Sequence, residues 1–321
     1  MTSNVPGRSC PLHYRYSPSV FASPAEDDCE VLYVVGGLYG NTTALAKVLE
    51  LFAREHGSAR GEKRLVFNGD FNWFNVDDAA FHSINQTVLG FTATRGNVET
   101  ELGSDQGCGC GYPDWVGDQV VAWSNTIMQR LQGTAARFPA LTQQLQALPM
   151  WRRFDVGGRR VAIVHGDAES LAGWGFATES LREPEHLRLV RGWFDQAQVD
   201  IFASTHTCLP IFQTLAAEGA DFAPMVLNNG AAGMPNFAGA QEGLLTRIAT
   251  RPFSGPERRF GIARGGLFLD AISINIDPAK WRPQFLASWP AGSAAHNSYW
   301  QRINQGPRHT LAQAMCSTSA I

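Results

Sequence analysis

The sequence predicts an α/β fold of two packed β-sheets with helices outside, and three observations carry that expectation. The first third of the chain alternates short apolar runs with helical patterns. The second half turns to short strands with little helix between them, and the polar residues suited to chemistry fall where apolar runs end. Open α/β sheets gather ligands outside the carboxyl ends of their strands, so those run ends are where a site is expected.

Residues 31–35 form an apolar run that stops at Gly36-Gly37, and residues 42–56 carry Leu45, Val48, Leu49 and Phe52 at helical spacing, closed by Gly57. The unit repeats: 64–68 reads as a strand, 69–75 as a loop, and 77–89 as a helix whose acidic first turn suits the positive end of its dipole. A third strand, 91–94, runs into Gly96-Asn97, and helical patterns recur at 120–131 and 141–148. Residues 151–156 and 159–164 flank Gly157-Gly158 as a hairpin. Short strands follow at 199–203, 211–215 and 225–227, and a long one at 266–276. Residues 1–28, with proline, serine and charge but no periodicity, read as an N-terminal arm. One domain then spans 29–290, with surface insertions at about 100–148 and 236–262, before a C-terminal tail at 291–321.

With 321 residues, 44% hydrophobic and 17% charged, the chain can bury a sizeable core. A net charge of −3 without a block of like charges gives no signal for nucleic acid or an anionic membrane, which leaves a small-molecule partner as the expectation. Pro6, Pro11, Pro18 and Pro24 interrupt any early apolar run long enough for a signal peptide, so the chain reads as cytoplasmic. Six cysteines scattered over this length are unlike a disulfide framework and read as free thiols.

Four run ends carry ligand-type residues. Asp70 follows Asn68-Gly69, Asn97 follows Gly96, His165 precedes Gly166, and His206 sits in Thr205-His206-Thr207-Cys208. Each alone is commonly a turn, cap or solvated residue. Together they are one carboxylate, one amide and two imidazoles, a mixed oxygen and nitrogen set suited to Zn, Mn, Fe or Ni rather than Ca.

In this order and context the chain resembles the calcineurin-like metallophosphoesterase superfamily, whose motifs run D-x-H, G-D, G-N-[HC]-[DE], H-G and G-H-x-H. The matching residues are Gly37-Leu38-Tyr39, Gly69-Asp70, Gly96-Asn97-Val98-Glu99, His165-Gly166 and Thr205-His206-Thr207-Cys208. The trailing Leu209-Pro210 and the segment from Asn228 to Pro235 are similar to a branch of small bacterial phosphodiesterases. The resemblance implies a four-layer αββα sandwich of two mixed sheets flanked by helices. It also implies one metal ion held by Asp70, Asn97, His165 and His206. A second ion would use the D-x-H pair, Asp70 and the last histidine of G-H-x-H, which here read Gly37, Tyr39, Asp70 and Cys208. Val98 stands where many relatives carry a histidine.

The expectation is therefore a metal-dependent phosphoesterase with one divalent transition metal per chain, acting as Lewis acid on a small phosphorylated substrate. Arg95 and Glu99 are the candidate catalytic side chains. One alternative is a catalytically impaired relative that binds a phosphorylated ligand or a partner protein. Another is a rearranged, non-hydrolytic centre in which deprotonated Tyr39 and Cys208 join Asp70. The loop 35–40 also matches G-x-G-x-x-G in part, at Gly37 and Gly40, but lacks the first glycine and the later acidic residue of a dinucleotide site. Gly107-Cys108-Gly109-Cys110-Gly111 lacks the paired C-x-x-C spacing of a structural zinc site and reads as a glycine-rich surface loop with incidental thiols, its place just after Gly96-Asn97 leaving open that it folds over the site. Trp73, Phe74, Trp115, Trp174 and Phe176 are either packing or the lining of a pocket for a flat group.

Overall fold

The computed structural model describes residues 6–55, 63–103, 107–215 and 222–317. Its first half runs β1 (Asp27–Cys29), β2 (Val31–Val35), α1 (Thr42–Arg54), β3 (Lys63–Asn68), α2 (Asp78–Leu89), β4 (Thr92–Thr94), α3 (Asn97–Glu101), α4 (Asp118–Ala135) and α5 (Pro139–Gln146). The second runs β5 (Trp151–Val156), β6 (Arg159–Val164), α6 (Pro184–Ala197), β7 (Ile201–Ser204), β8 (Pro210–Thr214), β9 (Met225–Asn229), β10 (Glu242–Ala249), β11 (Arg258–Arg264) and β12 (Leu267–Asn275). The chain then closes with α7 (Pro278–Ser288), α8 (Ala294–Gln305), α9 (Leu311–Ala314) and β13 (Met315–Ser317).

Two mixed sheets result, ordered β11-β12-β10-β2-β3-β4 and β1-β5-β6-β7-β9-β8-β13. Strand β2 shows why its sequence is apolar without alternation. Val31, Tyr33 and Val35 face the helices outside the first sheet, whereas Leu32 and Val34 join the core between the sheets. Both faces are covered, as in buried parallel strands. The inter-sheet core takes Ile163 from β6, Ala203 from β7, Leu227 from β9 and Ile248 from β10. A third cluster, with Phe21, Val190, Trp193 and Phe202, seals the second sheet under α6. The layers are therefore helix, sheet, sheet, helix, as expected. Asn41 and Asp77 cap α1 and α2, accepting backbone N–H bonds worth about 1 kcal/mol per cap. The expected stop of the first helix at His56-Gly57 lies outside the described residues.

Several segments depart from expectation, each because a tertiary contact stabilises what local pattern does not announce. The arm is packed into the fold: Tyr14 and Phe21 are fully buried, and β1 pairs with β5. The second expected insertion contains β10, an inner strand of the first sheet that pairs with both β2 and β12. Arg247 disguised it, because a buried arginine is tolerated only when paired. Here Glu55 at 2.8 Å and Asp270 at 3.2 Å provide the partners. Helix α6 is the exception, since Leu187, Val190, Trp193, Phe194 and Ala197 form a regular buried stripe at helical spacing, opposite a charged outer face. The tail contributes α8, which packs on α4. One pair of cysteines is also not free, since Cys10 and Cys108 form a disulfide. Among the described residues no helix is long and apolar enough to cross a membrane.

Because Ile248 is fully buried in the inter-sheet core, Ile248→Ala is expected to cost about 2–5 kcal/mol. Urea unfolding should show this as a lower midpoint with an unchanged slope. A midpoint equal to the parent protein would contradict the assignment of β10 as a core strand.

Candidate metal centre

The four ligand-type residues leave from the carboxyl ends of β3, β4, β6 and β7, and backbone contacts draw these ends together. His165 O accepts from both Thr205 N at 3.2 Å and His206 N at 2.9 Å, which seats the β7 loop on the end of β6. The β3 and β4 loops approach until no side chain fits between them. A Cβ on Gly69 would lie 2.5 Å from Gly96 N, and one on Gly96 would lie 2.4 Å from Asp70 Oδ1. Glycine before Asp70 and before Asn97 is thus a packing requirement. Asp70 itself has φ 56° and follows Gly69 at φ 75°.

The side chains converge. His165 Nε2 lies 3.3 Å from Asp70 Oδ1, 3.0 Å from Asn97 Oδ1 and 3.3 Å from His206 Nδ1. The ligand atoms of Asp70, His165 and His206 all fall within 4.8 Å of one another, and all three side chains are buried. Four ligands at about 2.0–2.1 Å from one tetrahedral ion would stand roughly 3.3 Å apart.

The far end of each neutral ligand is held by a backbone carbonyl. His165 Nδ1 donates to Asn68 O at 2.9 Å, His206 Nε2 to Cys110 O at 3.0 Å, and Asn97 Nδ2 to Gly109 O at 2.9 Å. These bonds select the tautomers that leave His165 Nε2 and His206 Nδ1 as lone pairs, and they turn the Asn97 oxygen inward. Two imidazole lone pairs, an amide oxygen and a carboxylate then face one point with no hydrogen among them. A cation resolves that arrangement, so the residues fit a metal ion. Without one, a proton must serve. Burial alone would lower the His165 pKa, but the Asp70 carboxylate raises it above its ordinary value. Burial, then the His165 charge, push His206 down to about 3.

Glu99 does not face this point. Its carboxylate accepts from Asp70 N at 2.8 Å, Phe71 N at 3.0 Å, Gly96 N at 3.0 Å and Asn72 Nδ2 at 3.2 Å, tying the β3 and β4 loops together. Burial and the Asp70 charge push its pKa up to about 7, against these N–H donors. Its carboxylate is thus engaged in holding the loops that carry Asp70 and Asn97. Arg95 turns away as well: its guanidinium donates to Gln146 O at the end of α5, because Arg95 N already pairs with Pro149 O and fixes the strand end there.

Beside the four ligands, Tyr39 OH and Cys208 Sγ contact each other at 2.8 Å. Both residues adopt positive φ, 53° and 63°, without being glycine. A Cβ on Gly37 would meet the Tyr39 ring at 2.9 Å, so that ring fills the space a side chain at 37 would need. Burial raises the pKa of both groups, first among the causes in each case, and keeps phenol and thiol protonated. Cys208 Sγ lies outside the cluster of close imidazole and carboxylate ligand atoms. Tyr39, Cys208 and Asp70 line one cavity, but the close ligand cluster is formed by Asp70 with His165 and His206.

A cavity of about 30 Å³ opens over Asp70 and His206, lined also by Tyr39, Trp73, Cys110, Tyr112, Trp174, Cys208 and Tyr299. It holds a few water-sized groups. Of the five aromatic candidates, Trp73 and Trp174 reach it. Phe74 and Phe176 are core residues, and Trp115 is exposed. Nothing local in the sequence pointed to Tyr299, or to Arg302 one turn later on α8, which donates to Cys208 O at 2.7 Å and Pro235 O at 3.1 Å. The glycine-cysteine loop is likewise no bystander, since Cys108 and Cys110 are buried and the loop covers the site. The loop 35–40 is closed to a dinucleotide, because Gly36 packs against Thr205 and Asn41 is bonded to Gly233 O.

Glu99→Gln replaces an acceptor by a side chain whose amide faces N–H donors. The expected outcome is a drop in metal affinity of about 10–100-fold, together with a lower melting temperature. Calorimetric titration with Mn²⁺ checks it, and an unchanged affinity would contradict the supporting role.

No family model and no curated protein matches the chain. Solved structures do. A hypothetical protein from Pyrococcus horikoshii superposes with TM-score 0.56 at 13% identity, over 87% of this chain and 99% of the other. A metallophosphoesterase from Sphaerobacter thermophilus gives 0.50 at 15% identity, over 86% and 100%. The two mixed sheets and their flanking helices thus form a fold similar to that of the Sphaerobacter thermophilus metallophosphoesterase.

Proposed function

We propose that this protein is a metal-dependent phosphoesterase with a single divalent transition metal, Mn, Zn, Fe or Ni, held by Asp70, Asn97, His165 and His206. The observation that carries the reading is the convergence of four donor atoms whose hydrogens all point elsewhere. The expected partner is a small phosphorylated substrate, and the expected compartment is the cytoplasm. The fold shared with the Sphaerobacter thermophilus metallophosphoesterase supports the same chemistry.

A bound ion supplies Lewis acidity toward a phosphoryl oxygen and toward water. The remaining work falls to the chain. His165 and His206 stay in fixed tautomers through Asn68 O and Cys110 O. Trp73, Trp174 and Tyr299 line the cavity with apolar surface, which strengthens charge interactions beside it. Among the described residues no lysine or arginine lines the cavity, so in this reading charge compensation for a phosphate rests on the ion. Tyr39 OH and Cys208 Sγ, protonated and facing the same space, are the side chains placed to give a proton to a leaving group.

A second reading, a binding module without turnover, is favoured by the neutral Tyr39–Cys208 pair, which stands at positions where the resemblance implies ligands of a second ion. A bis-aryl phosphodiester with Mn²⁺ or Zn²⁺ separates the two. The phosphoesterase turns it over, and His165→Ala and His206→Ala each lower kcat by at least about 100-fold and lose the metal. Unchanged turnover in both variants would overturn the proposal. Thermal stabilisation by a phosphate ligand without any hydrolysis would leave the binding module.

A further inference from the structure

The ligand-holding carbonyls of Gly109 and Cys110 sit on a loop with little stiffness of its own. Gly107, Gly109 and Gly111 all have positive φ, at 70°, 54° and 56°, so alternate residues of the segment lack the restraint a side chain would give. Apart from one internal bond, from Gly111 N to Cys108 O at 2.9 Å, its rigidity comes from outside. Gly7 N donates to Gly107 O at 2.7 Å, Tyr112 N donates to Gly7 O at 2.9 Å, and Trp174 Nε1 donates to Cys110 O at 3.1 Å. Between the two Gly7 contacts lies the covalent one: Cys10 is joined to Cys108 across 98 residues of sequence. Cys108 is fully buried with Tyr14 and Leu171, while Cys10 is half-buried.

We infer that the Cys10–Cys108 disulfide is a redox-sensitive positioning element for the metal centre. In the oxidised form the N-terminal segment clamps the loop over the site. Gly109 O then holds Asn97 with its oxygen inward, and Cys110 O holds His206 with Nδ1 unprotonated. Reduction by a thiol reductant adds two electrons and two protons, breaks the S–S bond into two thiols, and converts the reductant to its own disulfide. The clamp on the loop is then reduced to hydrogen bonds. The Asn97 amide and the His206 imidazole lose part of their orientation, and metal affinity falls. Loss of such outer partners typically weakens a metal site by about 10–100-fold. The inference rests on the proposed metal centre and adds to it a means of control that leaves all four ligands in place.

The test is calorimetric titration of the folded full-length protein with Mn²⁺ alone, in its oxidised form and after reduction by a phosphine, with near-ultraviolet circular dichroism monitoring the fold. Cys10→Ser, which opens the bond without altering the loop, provides a second route, and Cys316→Ser serves as a control away from the site. The expected result is a Kd raised about 10–100-fold by reduction and by Cys10→Ser, restored on reoxidation of the wild type, and unchanged in Cys316→Ser. Equal Kd values in the two redox states would overturn the inference while leaving the metal centre intact. Loss of the folded signal on reduction would overturn it too, since the bond would then be a staple of the whole fold. Absence of Mn²⁺ binding in either state would overturn the metal centre itself.

Discussion

The structure around the site depends on one close approach, that of Gly69 against Gly96. Only because neither residue carries a side chain can the loops after β3 and β4 touch, and only then does the Glu99 carboxylate reach Asp70 N, Phe71 N and Gly96 N together. That contact aims Asp70 and Asn97 at the point where β6 and β7 deliver His165 and His206. The two sheets serve to bring these four strand ends to one edge. The inter-sheet core behind them makes the edge rigid.

The other half of the cavity is organised by different physics. There a phenol and a thiol hydrogen-bond to each other in neutral form, and the Tyr39 ring takes up the space beside Gly37. Positive φ at Asp70, Tyr39 and Cys208, none of them glycine, places three strained residues around one cavity. Such strain persists where the surroundings over-determine it. Here Arg302 secures Cys208 O, and Tyr39 N is bonded to Asp70 O.

What could be read from the sequence was what local pattern encodes. The run from Val31 to Val35, the helices that follow it and β3, and the placement of Asp70, Asn97, His165 and His206 at strand ends all follow from residues close in the chain. What escaped depends on distant partners. Arg247 hides β10 because its neutralising carboxylates lie at positions 55 and 270. The arm is ordered by the burial of Tyr14 and Phe21 and by Cys108, far along the chain. Tyr299 and Arg302 reach the site from a helix that carries no local sign of it. Arg95 and Glu99 stood beside the right motif, yet the first turns out to α5 and the second turns under the ligands.

The central claim is a single metal centre beside a neutral tyrosine–cysteine pair. Elemental analysis of the protein purified without added metal, combined with anomalous scattering from its crystals, tests it directly. The account predicts one ion per chain, with its peak between Asp70, Asn97, His165 and His206. Two peaks, or a single peak at Tyr39 and Cys208, would contradict it.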